Sequence, residues 1–515
     1  MVDNSTASHS VSHFLLRRHS TGNGVIETSL TLPPYPPTTV DHLCREFTAP
    51  EGVYQLSHSI FVNALQPLYS IGTTATLVSI KYKRSSPIEQ DLTHHNDNPT
   101  LSSFLTRSHT KSRKKTFVQK IITNDQLAKI LMARTSADIN VFYNCGTSFV
   151  WMDAAGHPKE PLSRIVFSNA CPTSHDVNIL TRGVDHLDII IGFTTGDIIW
   201  FDPLCNKYGR MNKDGIMNSS SVTMIKWLQG YENLFMASFQ DGSVMLFDKE
   251  KEDVTFHPGD AKDNDDNKKS MFTVSKPPSK IASKCNPVSH WKLSNQAITA
   301  FAFSPDCQHV AIVGLDGLLR IINFLQETMS DVHEAYYGGL FCVAWSPDGK
   351  YILTGGQDDL VTIWDFKEQR IIARCQGHKS WVRGVAFDPW RCDETIYRFA
   401  SIGEDARLIF WDFSVNALHM PKISAKKRNR GTSVSSVNSS VPITSILATI
   451  QERKQPIVHP VLLKTQVAFL QPTVVKTIHG DPCIGIYFRE DVIVTTDKRG
   501  RVSIWKRPLT SATSQ

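Results

Sequence analysis

Residues 341–366 read FCVAWSPDGKYILTGGQDDLVTIWDF. An apolar run ends at Ser346-Pro347-Asp348-Gly349, a tight turn in which proline fixes φ and glycine permits φ > 0. A second strand is read over residues 351–355, a turn over 357–359 and a returning strand over 361–364. One more strand after Phe366 would complete a four-stranded antiparallel meander. No helical 3.6 period of useful length competes.

The end of this stretch, a turn and then an alternating strand closing on an aromatic residue and Asp, recurs along the chain. The copies are GTSFVWMD (146–153), TGDIIWFD (195–202), DGSVMLFD (241–248), DGLLRIINF (316–324), DDLVTIWDF (358–366), DARLIFWDF (405–413) and RGRVSIW (499–505). Anchored on Met152, Phe201, Phe247, Ile322, Trp364, Trp411 and Trp505, they are separated by 49, 46, 75, 42, 47 and 94 residues. Four gaps fit a repeat of about 40–45 residues with slightly long loops. The two long gaps hold polar insertions, at 249–280 (with DAKDNDDNKK) and 414–480 (with KKRNRGTSVSSVNSS). Both read as loop or disorder. A third insertion, at about 84–138 with the basic RSHTKSRKK at 107–115, interrupts the first unit.

Seven such meanders cannot bury their faces alone, whereas a radial arrangement packs each against its neighbours. The predicted fold is therefore all-β, a seven-bladed β-propeller over residues 51–507 with long disordered insertions. Residues 1–50 are expected to form a mostly disordered tail, with an extended LPPYPPTTV at 32–40, and residues 508–515 a second tail. RPLTSATSQ after Trp505 is too polar for an outer strand. Closure of the ring is therefore expected from an N-terminal strand within residues 51–66.

Composition narrows the function classes. A hydrophobic content of 41%, with 20% charged and 9% aromatic residues, sits near globular averages and excludes collagen-like, coiled-coil and disulfide-scaffold chains. The net charge of +6 is a weak field over 515 residues, so no nucleic-acid partner is expected. No run of 18 apolar residues and no secretory signal is present, so the reading is a soluble intracellular protein without membrane insertion. The cytoplasm is the expected address, and the basic runs at 107–115 and 422–430 leave the nucleus open. Ten dispersed cysteines without a Cys-x-x-Cys pair read as reduced thiols, with no metal site. No catalytic motif occurs, and Asp358-Asp359 and Glu404-Asp405 fall at the repeat's turn position. Neither catalysis nor a cofactor is expected.

The repeats act as internal controls for each other. First strands align on Trp227, Phe303, Trp345 and Phe387; six residues earlier stand Ser221, Ala297, Gly339 and Trp381. Eight residues earlier stand Ser219, Asn295, Tyr337 and Lys379. The fold does not demand an indole at 381 or a phenol at 337, and both precede innermost strands at one mouth of the channel. They are read as partner-binding anchors, with Tyr336, Lys379 and Ser380 as a polar rim.

Trp364-Asp365 and Trp411-Asp412 resemble the WD-repeat signature, and Gly377-His378 its second signature dipeptide. In that pattern His378, Ser401, Asp405 and Trp411 form a structural hydrogen-bonded chain through one blade. GGLFCVAWSPDGKY, GHKSWV, YRFASIGEDARLIFWD, AFAFSPD and EDVIVTTDKRGRVSIW carry a more specific likeness. With them the chain resembles the WD-repeat activator subunits of ubiquitin-specific proteases, the CreC-like fungal proteins and their animal relatives. That resemblance implies a non-catalytic scaffold that binds a ubiquitin-specific protease and raises its activity, commonly beside a second WD-repeat protein. It also places Trp381 and Tyr337 at the family's aromatic rim positions. The alternative reading is a substrate receptor of a cullin-type ubiquitin ligase. That group often ends blades with Trp-Asp-x-Arg, where this chain has Lys367 and Ser414.

Overall fold

The computed structural model describes residues 44–80, 116–134, 138–183, 186–258, 272–414, 416, 418–419 and 456–508. Seven sheets follow one another in chain order as the blades of a β-propeller. Innermost strands are Ala75–Ser79, Pro172–Val177, Val222–Trp227, Ile298–Phe303, Leu340–Trp345, Val382–Cys392 and Cys483–Phe488 for blades 1 to 7. Blade 5 continues through Tyr351–Gly356, Leu360–Asp365 and Arg370–Gln376, the meander read from residues 341–366. Middle strands such as Ile189–Phe193 (IIIGF) are buried at every position because neighbouring blades cover both faces.

The core is distributed as seven apolar clusters, one at each junction between adjacent blades. Phe142, Trp151, Ile189 and Phe201 fill the junction of blades 1 and 2, for example, and Leu353, Ile363, Phe399 and Trp411 that of blades 5 and 6. The cluster of Leu77, Val141, Tyr143, Val494 and Ile504 joins blade 7 to blade 1, which makes the ring continuous. Each fully buried large side chain here is worth on the order of 2–3 kcal/mol of transfer free energy.

Blade 7 is completed from the other end of the chain. Gly52–Ile60 pairs antiparallel with Val502–Lys506, and Glu46–Ala49 adds a fifth strand beyond it. The propeller thus begins at Glu46, inside the stretch assigned to the N-terminal tail; residues 1–43 of that tail and 509–515 lie outside the described residues.

The described parts of the insertions add strands where loop or disorder was read. In the first, Val118–Thr123 returns as an edge strand on Ser163–Phe167 of blade 1, followed by a short helix, Leu127–Ala133. In the second, Glu252–Asp253 pairs with Cys285–Asn286, and Thr273–Ser275 edges blade 3 on Ser289–Lys292. The third returns as a strap. Ile457–His459 pairs parallel with Thr328–Glu334 of blade 4, Ala468–Leu470 parallel with Arg370–Gln376 of blade 5, and Val474–Thr477 becomes the outer strand of blade 6. Local composition missed these strands because they are short and most pair with partners far away in sequence. The basic runs and residues 81–115 and 420–455 lie outside the described residues.

Two outcomes test this architecture. A variant lacking residues 1–60 exposes the edge of Val502–Lys506 and is expected to lose its single cooperative melt and to aggregate, read by circular dichroism and light scattering. Burial, the largest cause, also lowers the pKa of His175 to about 3 and those of His290 and His333 to about 4. Below about pH 6.5 the unfolded chain takes up protons that the folded chain refuses, so stability is full above that pH and declines toward pH 4. The urea midpoint is expected to fall between pH 7.5 and about 5, less steeply in a His333→Phe variant.

Candidate partner-binding site

The loop that leads into the innermost strand of blade 6 is held by the hydrogen-bonded chain read from Gly377-His378. His378 Nδ1 lies 3.0 Å from Asp405 Oδ1, its Nε2 lies 2.8 Å from Ser401 Oγ, and Trp411 Nε1 donates to the same Oγ at 2.9 Å. The Lys379 and Arg407 amides donate to Asp405 at 2.9 and 3.3 Å. Burial works to raise the Asp405 pKa, but His378 and these two amides outweigh it and hold the carboxyl below its usual range. Gly403 must be bare here, since a Cβ would meet the Trp381 carbonyl at 2.7 Å and His378 Nδ1 at 3.0 Å.

Blade 7 carries a second complete chain that the dipeptide search passed over. His479 bridges Asp497 (2.9 Å) and Thr495 (2.8 Å), and Trp505 Nε1 donates to Thr495 at 3.0 Å. The signal was one of spacing: His479 precedes Phe488 by nine residues, as His378 precedes Phe387, but His479 is followed by glycine and not preceded by it. In blade 5 the same position is Tyr336. Trp364 still donates to Thr354 at 2.9 Å, yet Asp358 has no imidazole, and burial pushes its carboxyl up to about 6 against the pull of Arg374 and the Leu360 amide. Asp358 and Asp405 each accept the amide two residues on, as hairpin-turn residues do.

On this frame the two aromatic residues stand out of the fold. Trp381 is 41% exposed and Tyr337 is 72% exposed. Gly339, the counterpart of Trp381 in blade 5, packs on the Leu315 backbone, and a Cβ there would meet Leu315 Cα at 2.9 Å. The indole leans on Phe341, with ring centroids 5.5 Å apart, and the Arg383 guanidinium lies 4.2 Å over the other ring. Lys379 is exposed and Ser380 half-buried. Tyr336 is half-buried, with Arg374 4.4 Å and Lys464 5.3 Å from its ring centroid.

Phe341 and Arg383 escaped the sequence reading although the same alignment contains them. Four residues before the anchors stand Thr223, Thr299, Phe341 and Arg383. Each sits where the register of the inner strand shifts, and Thr223 and Thr299 use their hydroxyls to reach the next blade's carbonyls at Ile298 (2.5 Å) and Leu340 (2.7 Å). Blades 5 and 6 replace that tie with a phenyl ring, on which Trp381 leans, and a guanidinium that lies over the same phenyl ring.

Comparison with known proteins agrees with the repeat reading. A model of the WD domain, G-beta repeat, matches residues 285–323 and 329–365. The chain is 36% identical over 419 residues, 76% of its own length and 75% of the relative's, to the UBP9-binding protein bun62 of Schizosaccharomyces pombe. The chain belongs to the WD-repeat family of bun62. Among the described residues of this family member no group of three or more His, Cys, Asp or Glu side chains could hold a metal ion, and no helix is long and apolar enough to cross a membrane.

The chain and the rim should respond differently to substitution. Asp405→Ala strands a buried imidazole and is expected to destabilise the propeller by about 3 kcal/mol, whereas Trp381→Ala is expected to cost under about 1 kcal/mol. Because the Asp405 pKa is depressed in the fold, its contribution is present above about pH 4 and lost as pH falls through the folded value. Denaturant midpoints of both variants at neutral and acidic pH check this.

Proposed function

We propose that this propeller is a non-catalytic scaffold that binds a ubiquitin-specific protease at the rim of blades 5 and 6 and activates it, together with a second WD-repeat protein. The observation that carries the reading is the exposed indole of Trp381 leaning on Phe341, itself covered by Arg383, at positions where sibling blades use small side chains and threonine. Tryptophan, tyrosine and arginine are the residues that dominate binding energy at protein interfaces. The partner class follows from the resemblance of the rim segments, and the name of bun62, a UBP9-binding protein, agrees with it.

The mechanism proposed is a coupling free energy. The propeller contacts the active conformer of the protease better than the inactive one, and the population shifts by that difference alone. Equal affinity for both conformers would activate nothing, however tight the complex. A cytoplasmic address with access to the nucleus is part of the same proposal and rests on the composition and the two basic runs.

A pull-down with a ubiquitin-specific protease, coupled to a ubiquitin-release assay, tests the reading. The purified protein is expected to release no ubiquitin alone and to accelerate the protease. Trp381→Ala is expected to remove that gain with an unchanged melting temperature, through a loss of about 2 kcal/mol or more of binding. Release of ubiquitin by the propeller alone, or capture of a cullin adaptor in place of the protease, overturns it.

A further inference from the structure

The strap that returns from the blade 6 insertion passes beside the rim, and its apolar side chains face outward. Between Ile457–His459 on blade 4 and Ala468–Leu470 on blade 5, residues 460–467 cross from one outer edge to the next. Val461 and Leu462 are 38% and 36% exposed, and Leu463 is 65% exposed. These residues are fixed in place. The Val461 amide donates to Glu334 at 3.4 Å, Arg374 Nη2 donates to the Leu462 carbonyl at 2.7 Å, and the Leu463 amide donates to Gln466 at 2.8 Å. Three successive aliphatic residues held in the open form an apolar patch of the kind that marks an interaction site.

The patch is continuous with the rim. Arg374 and Lys464 both lie over the ring of Tyr336, so the strap abuts the loop that presents Tyr337. The same loop packs through Gly339 on Leu315, itself 38% exposed, and leads into Phe341 under Trp381. Leu463, Tyr337, Leu315 and Trp381 are thus exposed apolar groups on adjoining segments of strap and rim.

The exposed cations along these segments are Lys379 and Lys464. Among the described residues, Lys379 and Lys464 have no carboxylate in ion-pair range, and Arg374, buried to 4% exposure, leaves Nε and Nη1 without a hydrogen-bond partner. Of the carboxylates nearby, Glu404 pairs with Lys498 at 2.6 Å, Asp405 with His378 at 3.0 Å and Asp316 with Arg320 at 2.5 Å, while Asp358 lies in the field of Arg374 and Glu334 accepts the Val461 amide at 3.4 Å. Two exposed lysines set beside exposed aliphatic and aromatic groups complement an apolar ridge flanked by carboxylates.

We infer that the protease's footprint extends beyond the rim onto strap residues 461–464, where an apolar ridge flanked by Asp or Glu side chains meets it. This rests on the Trp381 reading and adds to it the chemistry of the partner's face. The test measures affinity of the full chain for a purified ubiquitin-specific protease at low and at physiological ionic strength, with melting temperature as the control for folding. Leu463→Asp is expected to weaken binding at least tenfold. Lys464→Glu is expected to weaken it and to flatten its salt dependence. Wild-type affinity in Leu463→Asp beside weakened binding in Trp381→Ala overturns the strap footprint and leaves the rim reading standing. Wild-type affinity in both variants overturns both. Self-association of the free chain that Leu463→Asp abolishes, with protease affinity unchanged, assigns the patch to a second copy and also overturns the inference.

Discussion

The ring depends on one strand pairing, that of Gly52–Ile60 with Val502–Lys506. In most blades the inner three strands pair with neighbours close in sequence, and in blade 1 Ala75–Ser79 pairs with Ile139–Cys145 across an insertion, but this contact joins the two ends of the fold and carries the largest loop-closure entropy. Without it blade 7 presents an open edge, and the cluster that joins blades 7 and 1 loses its support. Side chains reinforce the choice of strand. Glu51 accepts from Tyr54 at 2.6 Å and from Arg398 of blade 6 at 2.7 Å, and Arg398 also grips Asp412 at 2.5 and 2.9 Å. Beyond the last strand, Arg507 makes a buried fork with Asp388 of blade 6, at 3.0 and 2.6 Å. Buried ion pairs add little net stability because desolvation offsets the attraction, while breaking one costs about 3–5 kcal/mol. Their effect is on specificity: only the correct closing strand and C-terminus satisfy these groups.

A closed ring frees individual positions for other uses. In blades 3 and 4 the second residue of the inner strand is a threonine tied to the next blade. Those ties are redundant once seven junctions are filled, so blades 5 and 6 can give the position to Phe341 and Arg383 without losing the fold. A similar relaxation shows at the imidazole position of blade 5. Tyr336 replaces histidine there, the turn carboxylate of Asp358 loses its partner, and the outer strand's Arg374 supplies the nearby charge while also holding the strap. At the position of Thr223 and Thr299, then, the departure falls on two adjacent blades, 5 and 6.

How far this could be read in advance follows from the range of each interaction. The meander was legible because its turns are local: Ser346 bonds Asp348 two residues on at 2.7 Å, and Gly349 takes φ +72°. The chain through His378 was legible because a dipeptide marks it, whereas the equivalent chain through His479 needed the nine-residue spacing to Phe488. Trp381 and Tyr337 stood out by comparison with sibling blades, and Phe341 and Arg383 were available to the same comparison. The strap was out of reach. Ile457–His459 and Ala468–Leu470 are three residues each, too short to show a period, and they pair with strands that precede them by roughly 100 residues. Polar composition around them favoured a loop, and only register with Thr328–Glu334 and Arg370–Gln376 makes them strands.

A rim built this way is set before any partner arrives. The Trp381 carbonyl accepts the Glu404 amide at 2.9 Å, the Lys379 amide is held by Asp405, and Gly403 lets the two loops touch. Pre-organisation of this kind reduces the ordering entropy that binding would otherwise consume. It also bears on selectivity between conformers. A soft loop adapts to two shapes of the same partner and binds both alike, which shifts no equilibrium. On the proposed reading a fixed indole, leaning on Phe341, would meet one shape well and the other poorly, and such a difference is the only source from which a scaffold can activate what it holds.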